Sequence, residues 1–411
     1  MLARRMVSQA APCSRAVAVL NIRRFKFIND LYGSKYGNRM LRDIYWAILE
    51  QTDPDDELVA RGESDHYYML LQYSSEDQLA ERLSSLSDFL RKRFCGELDI
   101  LLHFNIGVYL VDPADQPDII SFQDRANLAR ASADNSFSDS CIFYNEDFSF
   151  REKKELQLFQ VITEALQNRE FLMVLQPKID LRDDSICGAE ALARWNRPGE
   201  GMLSPAAFIP VMEKNGILPE LDLCIFEQVC AVIRRWLDEG KTPVPISVNL
   251  SRQQLRARHF LRRYLEILHR HAVPADLIEF EITESTMFTD AEISEVKGLI
   301  EEIHNCGFRC SLDDFGSEYS ALGLISEFPI DRIKLDRSFF SYDVRNPRAQ
   351  AVIKSIISLA KKLSIDTVAE GVEHKAQVDM LKSIGCTMVQ GYFFFPPLSV
   401  AQFEEAAFNR P

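Results

Sequence analysis

Seven apolar, strand-like runs in the second half of the chain each stop at a residue able to bind a cation or handle a proton. They read SICGAE (ending at Glu190), PISVN (Asn249), LIEFE (Glu281), RCSLDD (Asp313 and Asp314), DRIK (Lys334), DTVAE (Glu370) and CTMVQ (Gln390). Most are followed by a segment of helical periodicity. Strand-then-helix units in series specify a parallel sheet, and a closed (β/α)8 barrel is its commonest large form. Active sites in such barrels lie where the strands end. One acid at a strand end is ordinary; this many polar ends on one rim are not what a solvated surface requires.

A chain of 411 residues is long enough for two domains with separate cores. Its net charge is -14. Residues 1–150 carry 16 Lys+Arg against 23 Asp+Glu, and the remainder 31 against 38, so each part nets -7. Neither part has the basic bias of a nucleic-acid binder, and a nucleic-acid polymer is not an expected partner. An acidic protein that binds an anionic substrate needs metal ions to neutralise the site. The nine cysteines are scattered without a C-x-x-C pair. They read as free thiols of a reducing cytoplasm, the expected location. No apolar run approaches the ~18–20 residues that span a bilayer, so no membrane segment is expected in this chain. The start, MLARRMVSQAAP, lacks the apolar core of a signal peptide. A sensor or membrane segment ahead of Met1 in a longer parent protein stays compatible with this.

Two domains are expected, over 14–146 and 147–411. In the first, AVAVLNI (16–22) reads as a buried strand and residues 34–51 as an amphipathic helix. ELVARG (57–62) and HYYMLLQY (66–73) read as a hairpin around Glu63-Ser64-Asp65. A helix near 75–94, a strand near 99–111, a helix near 117–133 and a strand near 140–144 complete a mixed α/β domain. Residues 145–170 place Leu156, Phe159, Ile162 and Leu166 at helical intervals, an entry helix for the second domain.

The rim chemistry follows from the donor types. Glu190, Glu281, Asp313, Asp314 and Glu370 supply hard oxygen ligands and Asn249 an amide oxygen, a set suited to Mg²⁺ or Mn²⁺ rather than zinc. Carboxylates this close repel one another without cations. Two metals can share a bridging carboxylate and a water that becomes the nucleophile for in-line attack on a phosphodiester. Lys334 fits as a base or electrostatic partner of that water, and Arg194 can fork onto a phosphate. Singly, each has an ordinary structural explanation. A Lys or Glu at a strand end is commonly a surface ion pair, Arg194 an ion-pair partner near Leu192, and Gln390 a strand terminator before Gly391.

Together, EALAR (190–194), SVNLS (247–251), EITE (281–284), DDFG (313–316), IKLD (333–336), AEGVE (369–373) and QGY (390–392) occur in an order that resembles the EAL-domain family of cyclic di-GMP phosphodiesterases. LQPKID (175–180) and SPAAFIPVMEKNGI (204–217) extend the resemblance over nearly all of 155–405. It implies a modified TIM-type barrel, two Mg²⁺ or Mn²⁺ ions per barrel, and opening of cyclic di-GMP to linear pGpG. By the same resemblance, Glu190, Asn249, Glu281, Asp313, Asp314 and Glu370 match metal-site residues, with Glu190 and Glu370 also in the catalytic set. Lys334 matches the catalytic lysine and Gln390 a site glutamine. Gln176, Leu192 and Arg194 match positions lining the dinucleotide, and Glu284 the glutamate bracing the loop after DDFG. The family's loop is DDFG-x-G-x-S-S; here DDFGSEYSA puts Glu318 at the second glycine, and PLS (397–399) replaces PLP.

The first domain resembles the GGDEF family of diguanylate cyclases, through its first strand, FKFIND (25–30), a G-x-x-x-G at 33–37 and the hairpin. It departs where that family's chemistry resides. Asn21 and Arg23 stand at the first-strand positions, the signature turn reads ESDHY (63–67), and GSKYGN ends in Asn38. The R-x-x-D motif is absent, with Pro54 and Glu57 in its places. Two-metal phosphoryl transfer needs paired carboxylates, so a catalytically dead cyclase-like domain in a regulatory role is expected. The competing reading of the whole is a cyclic di-GMP receptor that hydrolyses little and signals by conformation; Glu318 favours it, the full ligand set does not. A homodimer is expected, as the commonest closed assembly.

Overall fold

The computed structural model describes residues 14–408 except 24, 95–101, 113, 114, 116, 117, 133–138, 256, 258, 284–289, 317–324, 326 and 341–345, and without the side chains of 149, 151–153 and 290–292. The chain divides into two compact units, one ending at Leu156 and one beginning at Gln157. The helix Glu146–Gln167 runs through the division.

The first unit is a five-stranded sheet in the order β2-β3-β1-β4-β5. Its strands are β1 (Ser14–Ile22), β2 (Leu58–Arg61), β3 (His66–Tyr73), β4 (Phe104–Leu110) and β5 (Ser140–Phe143). The central strand β1 pairs antiparallel with both β3 and β4. Its side chains alternate between two cores. Ala16, Ala18, Leu20 and Ile22 join Met40, Leu41, Ile44 and Ile48 from the helix Ser34–Leu49. Val17 and Val19 pack with Phe122 and Ala126 of the helix Ile119–Ala131 on the opposite face. Gly107 permits that second packing: a Cβ there would lie 2.0 Å from the Ala126 carbonyl oxygen. FKFIND forms a helix of its own, Phe25–Tyr32, docked through Phe25 and Ile28.

The second unit contains a closed barrel, as expected. Its strands are β6 (Phe171–Asp180), β7 (Ile186–Arg197), β9 (Ile246–Asn249), β10 (Ile278–Thr283), β11 (Arg309–Phe315), β12 (Arg332–Leu335), β13 (Asp366–Ala369) and β14 (Met388–Val389), with β8 (Gly201–Leu203) added to the edge of β7. The ring runs β6-β14-β13-β12-β11-β10-β9-β7 and closes through β6–β7. All neighbours are parallel except β6, which is antiparallel to both β7 and β14. Apolar outer faces such as Phe280 and Ile333 meet the surrounding helices. One of them, Leu218–Asp238, buries Leu221, Ile225, Val229, Ile233 and Trp236 at helical spacing. The entry helix contributes Ile162 and Ala165 to this core, with Leu158, Val161 and Leu166 packed beside them, while Leu156 is exposed. Among the described residues no helix is long and apolar enough to cross a membrane.

Candidate functional site

Parallel strands bring their C-terminal ends to one rim. Asn249 is the last residue of β9, Asp313 and Asp314 close β11, Lys334 lies near the end of β12, and Glu370 and Gln390 directly follow β13 and β14. Glu281 on β10 is level with Asn249 on β9. Glu190 departs from the strand-end expectation: β7 continues seven residues past it, to Arg197. The reason is pairing. β9 accompanies β7 only through Ala191, whereas antiparallel β6 accompanies it to Trp195 and β8 to Arg197. The β6–β7 ribbon therefore rises above the rim. Alternation puts Glu190, Leu192 and Arg194 on one face of it, and Gln176 lies directly across from Glu190.

Lys334 is the centre of the site. Its Nζ lies 2.6 Å from Glu281 Oε2, 2.8 Å from Glu370 Oε1, 3.0 Å from Asp313 Oδ1 and 3.2 Å from Glu190 Oε2. The lysine is 1 % exposed. Burial alone would drive it neutral, but the surrounding acids outweigh burial and hold its ammonium well above the ordinary lysine range. Burial pushes the Glu190 and Asp313 carboxyls up and raises Glu370 to about 8, with neighbouring acids adding to the shift. Glu281 behaves differently. Burial opposes its ionisation, yet Lys178 and Lys334 together hold it below the usual carboxylate range.

Amides complete the first ring of contacts. The Asn249 side-chain amide donates to Glu190 Oε1 at 3.0 Å, and that of Gln390 donates to Glu190 Oε2 at 2.6 Å and Gln176 Oε1 at 3.1 Å. Asp314 adopts a left-handed backbone, φ 53, and its N–H donates to Asp313 Oδ1 at 2.8 Å. Gly316 follows at φ 90 with the Phe339 ring against its Cα. Burial and then Asp336 push the Asp314 carboxyl up. Arg194 is half-buried, its guanidinium donating to the Ala193 carbonyl at 2.8 Å. Glu284 and Glu318 lie outside the described residues.

Beside the rim opens a cavity of about 590 Å³ lined by Leu192, Pro205, Asp222, Ile225, Asn249 and Arg252 among others. Asp222 went unnoticed in the sequence. The signal was an acid flanked directly by Leu221 and Leu223, both buried in the helix. Its carboxylate accepts the Ser251 N–H at 3.2 Å, and burial raises it to about 7. Lys178, also unremarked, sits below the rim with its Nζ 2.8 Å from Glu281 Oε1.

The donors are of the kind that hold hard divalent cations. Glu190, Glu281 and Asp313 each offer an oxygen, all within 4.8 Å of one another, and Asp313, Asp314 and Glu370 form a second such group. Oxygens on opposite sides of one Mg²⁺ are about 4 Å apart, so small closures suffice, and Asp313 belongs to both groups as a bridging ligand would.

Comparison with known proteins agrees with this geometry. The EAL domain family profile matches residues 160–397, and that of the diguanylate cyclase, GGDEF domain, matches 2–138. The chain is 29% identical over 403 residues to the bifunctional diguanylate cyclase/cyclic di-GMP phosphodiesterase MucR of Pseudomonas aeruginosa, covering 96% of this chain and 58% of MucR. It is 28% identical over 389 residues to the cyclic di-GMP phosphodiesterase PdeR of Escherichia coli, covering 94% of this chain and 58% of PdeR. The chain thus spans less than two thirds of the length of these curated relatives. Among solved structures, the PaMucR phosphodiesterase in its c-di-GMP complex is 32% identical, with a TM-score of 0.56 over 60% of this chain and 99% of that one. The chain belongs to the EAL-domain family of cyclic di-GMP phosphodiesterases, with a GGDEF domain ahead of its barrel.

Proposed function

We propose that this chain hydrolyses cyclic di-GMP to linear pGpG with two Mg²⁺ or Mn²⁺ ions, and that its GGDEF domain makes no product and tunes the barrel. One observation carries the reading: four carboxylates, three on different strands and Glu370 directly after a fourth, converge within 3.2 Å of the Lys334 ammonium. Such an arrangement is unfavourable for folding unless cations are part of it.

When bound, the ions supply an activated water and neutralise the phosphate charge. Glu190, Asn249, Glu281, Asp313, Asp314 and Glu370 would hold them. Lys334, placed among these carboxylates, would serve as a base or electrostatic partner of the attacking water. Gln390 and Asn249 fix the rotamer of Glu190 through its two oxygens. Leu192 and Arg194 project above the rim from the same face, where an apolar side chain meets a base and a guanidinium meets a phosphate. The cavity beside them takes one base arm of the substrate, with Asp222 accepting hydrogen bonds from its edge. In the GGDEF domain a single acid, Asp65, faces Asn21, which supports loss of cyclase chemistry. A homodimer in the cytoplasm belongs to the same proposal, and sedimentation tests its stoichiometry.

The experiment is direct. Purified protein is incubated with cyclic di-GMP and Mg²⁺ or Mn²⁺, and pGpG is followed by chromatography. Product that disappears in EDTA is expected; substrate left intact at every metal concentration would point to the receptor reading instead.

A further inference from the structure

A second layer of charge lies inside the barrel beneath the rim. Lys178 on β6 reaches Glu281 Oε1 at 2.8 Å and Glu279 Oε1 at 3.7 Å. Arg332 pairs with the other oxygen of Glu279 and extends to Asp366 at 3.6 Å. Lys178, Glu279 and Glu281 are each 2 % exposed or less. An ammonium is tolerated at such depth only when paired, and here both partners are acids on β10.

The consequence falls on Glu281. One of its oxygens is taken from below by Lys178, while the other faces Lys334 at the rim, 2.6 Å away. An untethered carboxylate can rotate to chelate a cation through both oxygens. Glu281 has one oxygen to offer. We propose that Lys178 is a positioning residue of the metal centre, pinning Glu281 by Oε1 so that Oε2 alone is presented to the cation. The inference rests on the metal-dependent reading above and assigns a role to a side chain that touches neither substrate nor ion.

The fold places this side chain by reversing a strand. β6 runs against its neighbours, so residues later in it lie deeper. Gln176 reaches the rim, and Lys178, one alternation further, lies beneath. The register of β6 against β7 shifts just after Lys178, an irregularity of the kind that re-aims side chains.

Two roles for Lys178 predict opposite signs. As mere charge balance it would weaken cation binding, and its removal would tighten it. As a pin it preorganises a ligand, and its removal weakens binding, by about tenfold or more for such outer-shell partners. Mn²⁺ binding to the full chain is therefore titrated by electron paramagnetic resonance without substrate, for wild type, Lys178→Met and Lys178→Gln. The expected result is Mn²⁺ affinity at least about tenfold weaker in Lys178→Met, largely recovered by Lys178→Gln, which keeps an N–H donor. Unchanged or tighter binding in Lys178→Met would overturn the proposal. Should that variant fail to fold, a crystal structure of the wild type with Mn²⁺ decides. Glu281 bound through Oε2 alone, with Oε1 still on Lys178, supports the pin; chelation through both oxygens overturns it. Mn²⁺ bound as expected without any pGpG formed would instead count against hydrolysis and leave the role of Lys178 standing.

Discussion

At the barrel rim one ammonium faces four carboxylates, and at the end of β1 one carboxylate, Asp65, faces the Asn21 amide at 3.4 Å and the His66 ring at 3.7 Å. Both places lie at strand ends. The contrast lies in the charge each retains. Packing acids together costs folding energy, because each buried carboxylate must be desolvated beside its like. The rim keeps that unfavourable arrangement, propped by Lys334 and Lys178. At the β1 end a single hydrogen bond joins the Asn21 amide to one acid, Asp65. Acids gathered and shifted in this way make the rim the functional-site candidate of the two.

The largest expected effect breaks or confirms the contrast directly. Glu190→Ala and Asp313→Ala should each lower turnover of cyclic di-GMP by more than about 10³-fold, since each removes a proposed metal ligand. Asp65→Ala should leave turnover within about twofold, because Asp65 belongs to the other unit and supplies nothing to the barrel rim. Incubation with GTP should yield no cyclic di-GMP in either case. Cyclase product from purified protein, or equal loss from Asp65→Ala, would erase the distinction between the two strand ends.

Lys334→Ala sharpens the point about charge. Turnover should fall by about 10²–10⁴-fold, with the half-saturating substrate concentration little changed, because the lysine acts on the reacting centre. Removing the ammonium also leaves Glu190, Glu281, Asp313 and Glu370 without their shared partner. Breaking such a buried pair costs about 3–5 kcal/mol, and divalent cations should offset it. The melting temperature of the variant should therefore drop in EDTA and recover in Mg²⁺. A melting temperature indifferent to metal would mean the carboxylates had simply taken up protons.

How much of this was legible in the sequence depends on strand direction. Parallel strands obey one rule, polar residue last, and the runs ending at Asn249, Glu281, Asp313, Lys334, Glu370 and Gln390 were readable on that basis. β6 breaks the rule. Its final Lys-Ile-Asp points away from the rim, so Lys178 carried no strand-end signal, and only closure of the barrel reveals what lies above it. Glu190 was readable as a site residue but not as a mid-strand one, because the hairpin pairing of β7 with its sequence neighbours β6 and β8 continues beyond its pairing with β9, and an alternating apolar–polar run does not report where that pairing stops. FKFIND was read as a motif and folds as a helix, its apolar Phe25 and Ile28 one turn apart. Asp222 was hidden by its neighbours, since helical periodicity reports the apolar majority of a face and passes over one acid within it.

Asp222 yields a smaller and more specific effect. If its carboxylate accepts hydrogen bonds from a base edge in the cavity, Asp222→Ala should raise the half-saturating substrate concentration about tenfold, the worth of one charged hydrogen bond, with turnover at saturation retained. Burial raises this acid to about 7, so it is protonated below neutrality and ionised above. Substrate binding by the wild type should accordingly tighten as pH rises through 7, and the variant should lose that dependence. The stability consequence has the opposite sign. An acid raised in the folded state favours folding least where the unfolded chain is already ionised, so its contribution declines from about pH 4 towards 7. A pH-independent half-saturation in the wild type would remove Asp222 from substrate recognition.

The smallest expected effect concerns Glu318, whose position rests on the sequence alone. It follows Asp314 and Gly316, both in left-handed conformations at φ 53 and 90, in a stretch where the resembled family carries a second glycine. A side chain there meets two costs. If the chain at 318 takes the left-handed backbone that glycine favours, a Cβ there is unfavourable, and if the carboxylate faces the site it repels the substrate phosphates. Glu318→Gly removes both. Turnover should rise, or the substrate needed should fall, by about fivefold at most, the scale of one solvent-screened charge. The electrostatic share should shrink as salt increases, whereas the backbone share should not, so kinetics at low and high ionic strength separate the two. Identical kinetics for the two proteins across that range would show that the barrel tolerates an acid at this point, and that its activity is set entirely by the charges already gathered around Lys334.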